Sequence, residues 1–371
     1  MRVRFFELEV TDDRYRKELL DSVDRVLQHG MLILGPEVEE FEKRVAAAAG
    51  TRYAIGVASG SSAVYLALKS AGIGPGDEVI TTPLTWILTF NAIAECGAIP
   101  VSVDIGQDAN IDPDAIEAAI TPKTKAIVPV HFTGLMCQMD KICEIARKHN
   151  LLIIEDAAQA YGARYKSKMA GSFSKVAAFS MNSMKVLASF GEAGAVTTDD
   201  PDIYETVRMM RYSGTKSDPR KIVTNEGYYV ALNHKINTIQ AAMLLVAMKY
   251  LPAKMARRLE IANRYTAGLS EFVTCPQIPP GDIHALYTYA IQADRRDELR
   301  EYLNANEIET KIYHVPLASD APVYANLKKS ETPVARNIMN RFLSLPAHEK
   351  LTNDQIDFVI EKVIQFYKSG K

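Results

Sequence analysis

The sequence has only four cysteines, and no two of them show CxxC spacing. This excludes the usual patterns of a zinc site and of a disulfide framework, so we expect no bound metal and the reduced thiols of a cytoplasmic protein. No apolar run of about 18 residues occurs, so no membrane-spanning helix is predicted. The first ten residues, MRVRFFELEV, lack an uninterrupted apolar segment, and a signal peptide is therefore not expected.

A charge excess of one sign is also lacking. The chain has 43 basic residues against 45 acidic ones, and its formal net charge is -2. Electrostatics therefore give no reason to expect binding to nucleic acid or to an anionic membrane surface.

The chain is long enough for more than one hydrophobic core. It has 371 residues, of which 47% are apolar and 24% charged, the balance of a soluble globular enzyme. Between Thr51 and Asp200, short β-branched runs alternate with helix-length segments, which predicts an α/β fold with a mainly parallel sheet. The runs are Ala54–Ala58, Glu78–Thr81, Pro100–Val103, Ala126–Val130, Leu151–Glu155, Ala177–Ser180 and Ala195–Thr198.

The C-terminal part has a different pattern. A long helical stretch begins at Asn237 and is predicted to break at Pro252. The residues after Cys275 read as a smaller α+β unit. We therefore predict a large domain over residues 1–250, including the N-terminal segment, and a small domain over residues 251–371.

Polar side chains follow two of the predicted strands. Asp156 comes directly after the run that ends in Glu155, and Ser180 ends a later one. Lys185 lies in the next loop, before a glycine-rich turn. Carboxyl ends of parallel strands are where open α/β sheets bind ligands. A lysine amine beside a carboxylate is what pyridoxal phosphate requires, because the amine forms a Schiff base and the carboxylate keeps the pyridine nitrogen protonated.

Each of these residues also has an ordinary structural interpretation. Lys185 is one of many basic residues, but apolar neighbours surround it, and burial would make its amine nucleophilic. Gly60 and Ser61 open a helix after a strand, which suits a phosphate but also an ordinary serine cap. Trp86, the only tryptophan, suits stacking on a flat ring or packing in the core. Gln159 lies close enough to Asp156 in sequence to bind a ring substituent.

Taken in order, these segments resemble the DegT/DnrJ/EryC1/StrS sugar aminotransferases, which are pyridoxal phosphate enzymes of fold type I. The resemblance extends from HGMLILGPEVEEFE at His29 to LSLPAHEKLTNDQI at Leu343. Between these two segments lie ASGSSAVYLAL, GIGPGDEVITTPLTW, IIEDAAQAYGA, FSMNSMK, GEAGAV and ALNHKINTIQAAML.

The resemblance implies a role for each matching position. Lys185 is similar to the Schiff-base lysine and Asp156 to the partner of the pyridine nitrogen, while Gln159 matches the residue beside the ring hydroxyl. The remaining matches are Gly60, Ser61 and Ser180 at the phosphate, Trp86 stacked on the ring, and Asn233, which resembles an asparagine that reaches the phosphate from the neighbouring subunit. The resemblance therefore also implies a homodimer with a shared active site. Tyr313 and His314 look like substrate-side residues, although packing of the small domain explains them equally well.

Some positions depart from the family pattern. Met184 stands where serine or threonine is common, Ser183 where proline is common, Lys235 where arginine follows the asparagine, and Thr133 where tyrosine is frequent. The acidic turn reads GEAG instead of GDGG or GEGG. These departures leave the catalytic atoms in place and alter the shape of the pocket.

The implied reaction moves an amino group from glutamate to a nucleotide-linked keto sugar, for the synthesis of amino sugars of surface glycans or secondary metabolites. The segment HGMLILGPE resembles family members that aminate the sugar at C3 more than those that act at C4. A glutamine-dependent aminotransferase for a cyclic polyol ketone of the inosose type is an alternative. A sugar dehydratase of this family, or a regulator that binds the cofactor without turnover, is expected to have lost Lys185 or Asp156, and both are present.

Overall fold

The computed structural model describes residues 1–216, 223–327 and 330–370. The strands are β1 Tyr53–Val57, β2 Glu78–Thr81, β3 Ile99–Ser102, β4 Thr124–Ile127, β5 Leu152–Asp156, β6 Arg164–Tyr165, β7 Lys168–Met169, β8 Val176–Ser180, β9 Gly194–Thr198, β10 Tyr289–Gln292 and β11 Phe342–Leu345. The helices are α1 Asp13–His29, α2 Pro36–Ala49, α3 Gly60–Ser70, α4 Leu88–Glu95, α5 Pro113–Ala119, α6 Met139–Lys148, α7 Pro201–Arg211, α8 Thr238–Leu269, α9 Arg296–Ala305, α10 Pro333–Arg341 and α11 Asn353–Lys368.

A seven-stranded sheet forms the centre of the molecule, with the strand order β1-β9-β8-β5-β4-β2-β3. The pairs β2–β3, β2–β4, β4–β5 and β5–β8 are parallel. Strand β9 is antiparallel to both of its neighbours, β8 and β1. The predicted α/β class and the mainly parallel sheet are thus confirmed. The direction of β9 follows from residues 181–193, which contain no helix, because a parallel return requires a long crossover.

Both faces of the sheet are covered, as expected for a parallel sheet. In β8, Ala177 and Phe179 pack into one hydrophobic cluster with residues of α2, α6 and α8. Val176 and Ala178 point the other way, into a cluster with residues of α3, α4 and α7. Every residue of β8 is therefore buried, which fixes the position of the loop that follows it.

Helix α8 runs for 32 residues without interruption and contains Pro252, so the predicted break at this proline is wrong. A proline inside a helix costs about 3 kcal/mol because it removes one backbone hydrogen bond and crowds the preceding turn. Packing on both sides of the proline offsets this cost. Leu244 is buried against the sheet, and Tyr265 is buried in a second cluster with β10, β11 and α11.

The second cluster gathers the C-terminal elements. Strands β10 and β11 pair antiparallel, and Val3 from the N-terminus joins the same cluster through a bridge to Ile308. The division into residues 1–250 and 251–371 stays a prediction, with α8 running through it. In the part of the chain that the structure describes, none of the helices has the length and apolar character that a membrane span needs.

Candidate active site

A cavity of about 480 Å³ opens at the edge of the sheet where β5 and β8 end. Its walls contain these sequence-predicted residues: Gly60, Ser61, Trp86, Asp156, Gln159, Ser180 and Lys185. Asn233 does not line it. That residue is exposed, pairs with Tyr212 through a backbone bridge, and accepts a hydrogen bond from the Lys235 N–H at 3.2 Å.

Asp156 ends strand β5 and is 5% exposed. Its Oδ2 accepts a hydrogen bond from the Thr89 hydroxyl at 2.8 Å, and its Oδ1 accepts one from the Ala158 N–H at 3.1 Å. Burial raises the pKa of the Asp156 carboxyl by more than these hydrogen bonds lower it. In the described residues no cation forms an ion pair with Asp156, so a cationic N–H in the cavity would supply the partner that its charged form lacks.

Lys185 lies in the loop between β8 and β9. Backbone hydrogen bonds hold this loop, from the Lys185 N–H to the Asn182 carbonyl at 2.8 Å and from the Ser183 N–H to the Gly191 carbonyl at 3.0 Å. Burial among the cavity walls lowers the pKa of the Lys185 amine to about 8, against the opposing charges of Asp156 and Glu192. Part of the amine is therefore neutral, and hence nucleophilic, near neutral pH.

The N-terminus of helix α3 forms another wall. The Ser59 side chain caps the helix by accepting from the Ser62 N–H at 3.1 Å. The first helical N–H groups, those of Gly60 and Ser61, have no acceptor within the helix and carry its positive end, a site suited to an anion. A Cβ at Gly60 would lie 2.5 Å from the Cβ of Ser180, so only glycine lets the helix approach the end of β8 this closely.

The side-chain amide of Gln159 already has a partner for its oxygen. Its Oε1 accepts a hydrogen bond from the Thr133 N–H at 2.8 Å, which leaves the amide nitrogen as the donor for the cavity. Thr133 has a φ of 58°, in the left-handed region that non-glycine residues rarely occupy. The position where the family pattern has a tyrosine is therefore a strained turn that orients Gln159.

Trp86 has 56% of its surface exposed and lies at the cavity wall, 5.9 Å from the His314 ring between centroids. The only tryptophan is therefore not packed in the core. A large exposed aromatic face at a concave site is typical of a surface that a ligand covers.

Comparison with known proteins agrees with this geometry. A family model described as the DegT/DnrJ/EryC1/StrS aminotransferase family matches residues 13–364. The chain belongs to this aminotransferase family. It is similar to a pleiotropic regulatory protein of Geobacillus stearothermophilus, with 37% identity over 99% of each chain. It is also similar to a dTDP-3-amino-3,4,6-trideoxy-alpha-D-glucose transaminase of Streptomyces venezuelae, with 38% identity over 98% of this chain and 95% of the relative.

Among solved structures, S. venezuelae DesV in complex with a ketimine intermediate superposes with a TM-score of 0.94 and 37% identity, over 98% of each chain. The chain is thus a pyridoxal phosphate-dependent sugar aminotransferase of fold type I. Two features of the cavity fit pyridoxal phosphate independently of this similarity. The helix end cleared by Gly60 suits a phosphate, and the buried Asp156 carboxylate suits a protonated ring nitrogen.

Some residues of the aminotransferase cavity escaped the sequence reasoning. They are Thr85, Thr89, Asn182, Glu192 and Tyr287. Thr89 had one usable signal in the sequence, because it lies four residues after Thr85 in a segment that follows a buried strand. In the structure, the hydroxyls of Thr85 and Thr89 are 3.0 Å apart. Tyr287 had none, since only the fold brings it to Lys185.

Tyr313 and His314, which the resemblance to the family assigns to the substrate side, also line the cavity. In the described residues, the Tyr313 hydroxyl and the His314 Nδ1 are buried without a hydrogen-bond partner. Burial lowers the pKa of His314 to about 3, so its ring is neutral at physiological pH. Buried polar atoms without partners are rare, which makes both groups candidates for contact with a ligand.

Behind Asp156, the aminotransferase buries a second carboxylate. Glu155 accepts hydrogen bonds from the His131 ring at 3.0 Å, the Gly171 N–H at 2.9 Å, the Phe173 N–H at 3.0 Å and the Ser174 hydroxyl at 2.7 Å. Burial alone would raise the pKa of the Glu155 carboxyl, but these donors together lower it. Since His131 Nδ1 accepts the Cys137 N–H at 3.2 Å, the ring donates to Glu155 from Nε2.

Proposed function

We propose that this enzyme transfers the amino group of glutamate to a nucleotide-linked keto sugar, with C3 of the sugar favoured over C4. The observation that carries the proposal is the placement, in one cavity, of a lysine with a lowered pKa and a buried carboxylate that has no ion-pair partner among the described residues. The similarity to a transaminase named for a dTDP-3-amino sugar supports the class of acceptor and the C3 position.

Each predicted site residue has a proposed task. When bound, pyridoxal phosphate supplies an electron sink that makes the proton on the donor's α-carbon removable. Lys185 holds the cofactor covalently, and its freed amine then moves that proton. Asp156 keeps the ring nitrogen protonated. The binding tasks fall to Gly60, Ser61 and Ser180 at the phosphate, Gln159 at the ring hydroxyl and Trp86 on the ring face.

We further propose that the active unit is a homodimer and that Asn233 completes the phosphate site of the partner. In the described part of the chain, the segment before Asn233 exposes apolar side chains, with Val230 97% and Leu232 78% exposed. Such a projecting apolar segment is typical of a surface that a second copy covers. The enzyme is proposed to act in the cytoplasm, a location that its four unpaired cysteines suit.

The first test is the absorption spectrum of the purified protein with pyridoxal phosphate, before and after excess glutamate. We expect a yellow band that disappears on glutamate addition, together with formation of 2-oxoglutarate. The variant Lys185→Ala should bind the cofactor without that band and without turnover. Substantial turnover by the variant would contradict the role of Lys185, and loss of the band only with glutamine would favour the cyclic ketone aminotransferase. Return of the band with 3-keto but not 4-keto nucleotide sugars identifies the acceptor.

The shared site has its own test. Lys185→Ala and Asn233→Ala homodimers should each be impaired, whereas mixing them should restore activity. One site of each hybrid dimer then has both residues intact. If subunit exchange is confirmed and no activity returns, Asn233 does not act across the interface.

A regulatory role without catalysis is a second candidate, because one similar protein is named a regulatory protein. A regulator without turnover, however, has no need of a reactive lysine beside a buried carboxylate, so the cavity favours the enzyme. A yellow band that responds neither to glutamate nor to glutamine, in protein saturated with cofactor, would favour this candidate.

A further inference from the structure

The Lys185 amine lies against the face of an aromatic ring. Its Nζ is 4.2 Å from the centroid of the Tyr287 ring, and Tyr287 is 9% exposed in the wall of the same cavity. In the described part of the chain no carboxylate forms an ion pair with this amine; Asp156 and Glu192 act on it only through longer-range charge. The ring face is therefore a direct contact of the amine that can stabilise its charge.

A contact of this kind favours the ammonium form. The face of an aromatic ring carries partial negative charge, and it attracts a cation within about 6 Å of the centroid. Burial acts in the opposite direction and lowers the pKa of the Lys185 amine. The phenol contributes as a neutral ring, since burial raises the pKa of Tyr287. The protonation of Lys185 thus depends on a balance between burial on one side and, on the other, the ring together with the charges of Asp156 and Glu192.

We propose that Tyr287 is a positioning residue that holds the Lys185 amine over its ring face whenever the amine is not bonded to the cofactor. This inference rests on the proposed function, in which Lys185 alternates between covalent anchor and free acid or base. A free lysine side chain has four rotatable bonds, and a contact that fixes its end keeps the amine near the atoms between which it moves a proton. The ring also keeps the protonated form accessible in a site whose burial disfavours it.

The surroundings of Tyr287 keep the ring in place. The neighbouring Leu286 carbonyl accepts a hydrogen bond from Arg258 at 3.0 Å, and Arg258 in turn pairs with Glu349 at 3.0 Å. The Tyr313 ring lies behind it, 6.1 Å away between centroids. These contacts come from helix α8 and the C-terminal elements, so the position of the Lys185 amine depends on that part of the fold.

The test is the pKa of Lys185 in the full-length chain without cofactor. Trace acylation at a series of pH values, with quantification of the Lys185 peptide by mass spectrometry, gives the titration of this one amine. The variant Tyr287→Phe keeps the ring and should leave the pKa unchanged, whereas Tyr287→Leu should lower it by about 0.5 to 1.5 units. The variant Tyr287→Met, whose flexible side chain also lacks a ring, replaces Tyr287→Leu if that protein does not fold.

Peptides of exposed lysines serve as internal controls and should titrate alike in all variants. An unchanged pKa in the variants without a ring, or an equal shift in Tyr287→Phe, would overturn the inference. The outcome is separable from that of the proposed function, because acylation requires no turnover. A chain that fails to transaminate can still show the shift, and an active chain without the shift refutes Tyr287 alone.

Discussion

Replacing Gly60 by alanine tests the geometry of the phosphate end of the cavity. The added Cβ would lie 2.5 Å from the Cβ and 2.6 Å from the Oγ of Ser180, well inside van der Waals contact. Ser180 has little freedom to yield, since it ends a fully buried strand and pairs with Gly194. The helix must therefore move instead, and its first N–H groups move with it.

The size of the effect follows from two opposing contributions. Overpacking a well-packed site costs about 1–3 kcal/mol, while alanine gains up to about 1 kcal/mol over glycine in a helix. We expect a net loss of about 1–2 kcal/mol in stability. The affinity for pyridoxal phosphate should fall by roughly tenfold or more, because each 1.4 kcal/mol of lost phosphate contact corresponds to a factor of ten.

A double-mutant cycle isolates the contact. Ser180→Gly removes the two closest atoms that the new Cβ would meet and leaves only the Ser180 Cα, at 3.1 Å. The double variant Gly60→Ala/Ser180→Gly should therefore recover about 1 kcal/mol relative to the sum of the single changes. Gly74→Ala is the matched control, because nothing lies within 4 Å of a Cβ there. Cofactor affinity is measured by absorbance titration, and stability by thermal unfolding at one fixed protein concentration.

Two results would refute this reasoning. If Gly60→Ala behaves like Gly74→Ala in both assays, the close approach of α3 to β8 is not what the site requires. If the two single changes are additive in the cycle, Gly60 and Ser180 do not share the contact that the structure gives them.

The remaining predictions concern the two buried carboxyls. Thr89→Val removes the hydroxyl that donates to Asp156, so the pKa of the Asp156 carboxyl should rise further. The acid limb of the kcat/KM–pH profile should then move up by about 1–2 pH units. Thr85→Val, one contact further from Asp156, should move this acid limb less. Glu155→Gln should cost about 3 kcal/mol near neutral pH in thermal unfolding. Because the pKa of Glu155 is lowered in the folded protein, the stability that its carboxylate contributes is present above the ordinary carboxyl pKa and is lost as the pH falls through the lowered pKa. The stability curves of the wild type and of Glu155→Gln, plotted against pH, should therefore converge in acid. A stability difference that stays constant with pH would contradict this.

The order of buried runs along the sequence was enough to predict the sheet. Each of the seven predicted runs overlaps an observed strand, with ends that differ by a few residues. The direction of β9 and the continuity of α8 through Pro252 were not predictable in the same way. The direction of β9 depends on the absence of a helix from residues 181–193. The continuity of α8 depends on packing against distant segments, which overrides local propensity.

The site was predictable where it lies near strand ends and helix starts. Asp156, Ser180 and Gly60 share this property, and the topology alone brings them to one edge of the sheet. Tyr287 and Thr89 have ordinary sequence neighbours and acquire their significance only from proximity to Lys185 and Asp156. Asn233 is the opposite case, because its motif is specific while its proposed partner lies in another copy of the chain.

Burial acts on the two central groups in the same sense. It raises the pKa of the Asp156 carboxyl and lowers the pKa of the Lys185 amine, so it favours the neutral form of each. Neither group gains an ion-pair partner from the described residues, and the protein therefore bears a desolvation cost at both positions. A ligand with a cationic ring nitrogen and an electrophilic carbon relieves both costs at once. The cavity is thus less stable without its cofactor, and the binding energy that this releases favours retention of pyridoxal phosphate.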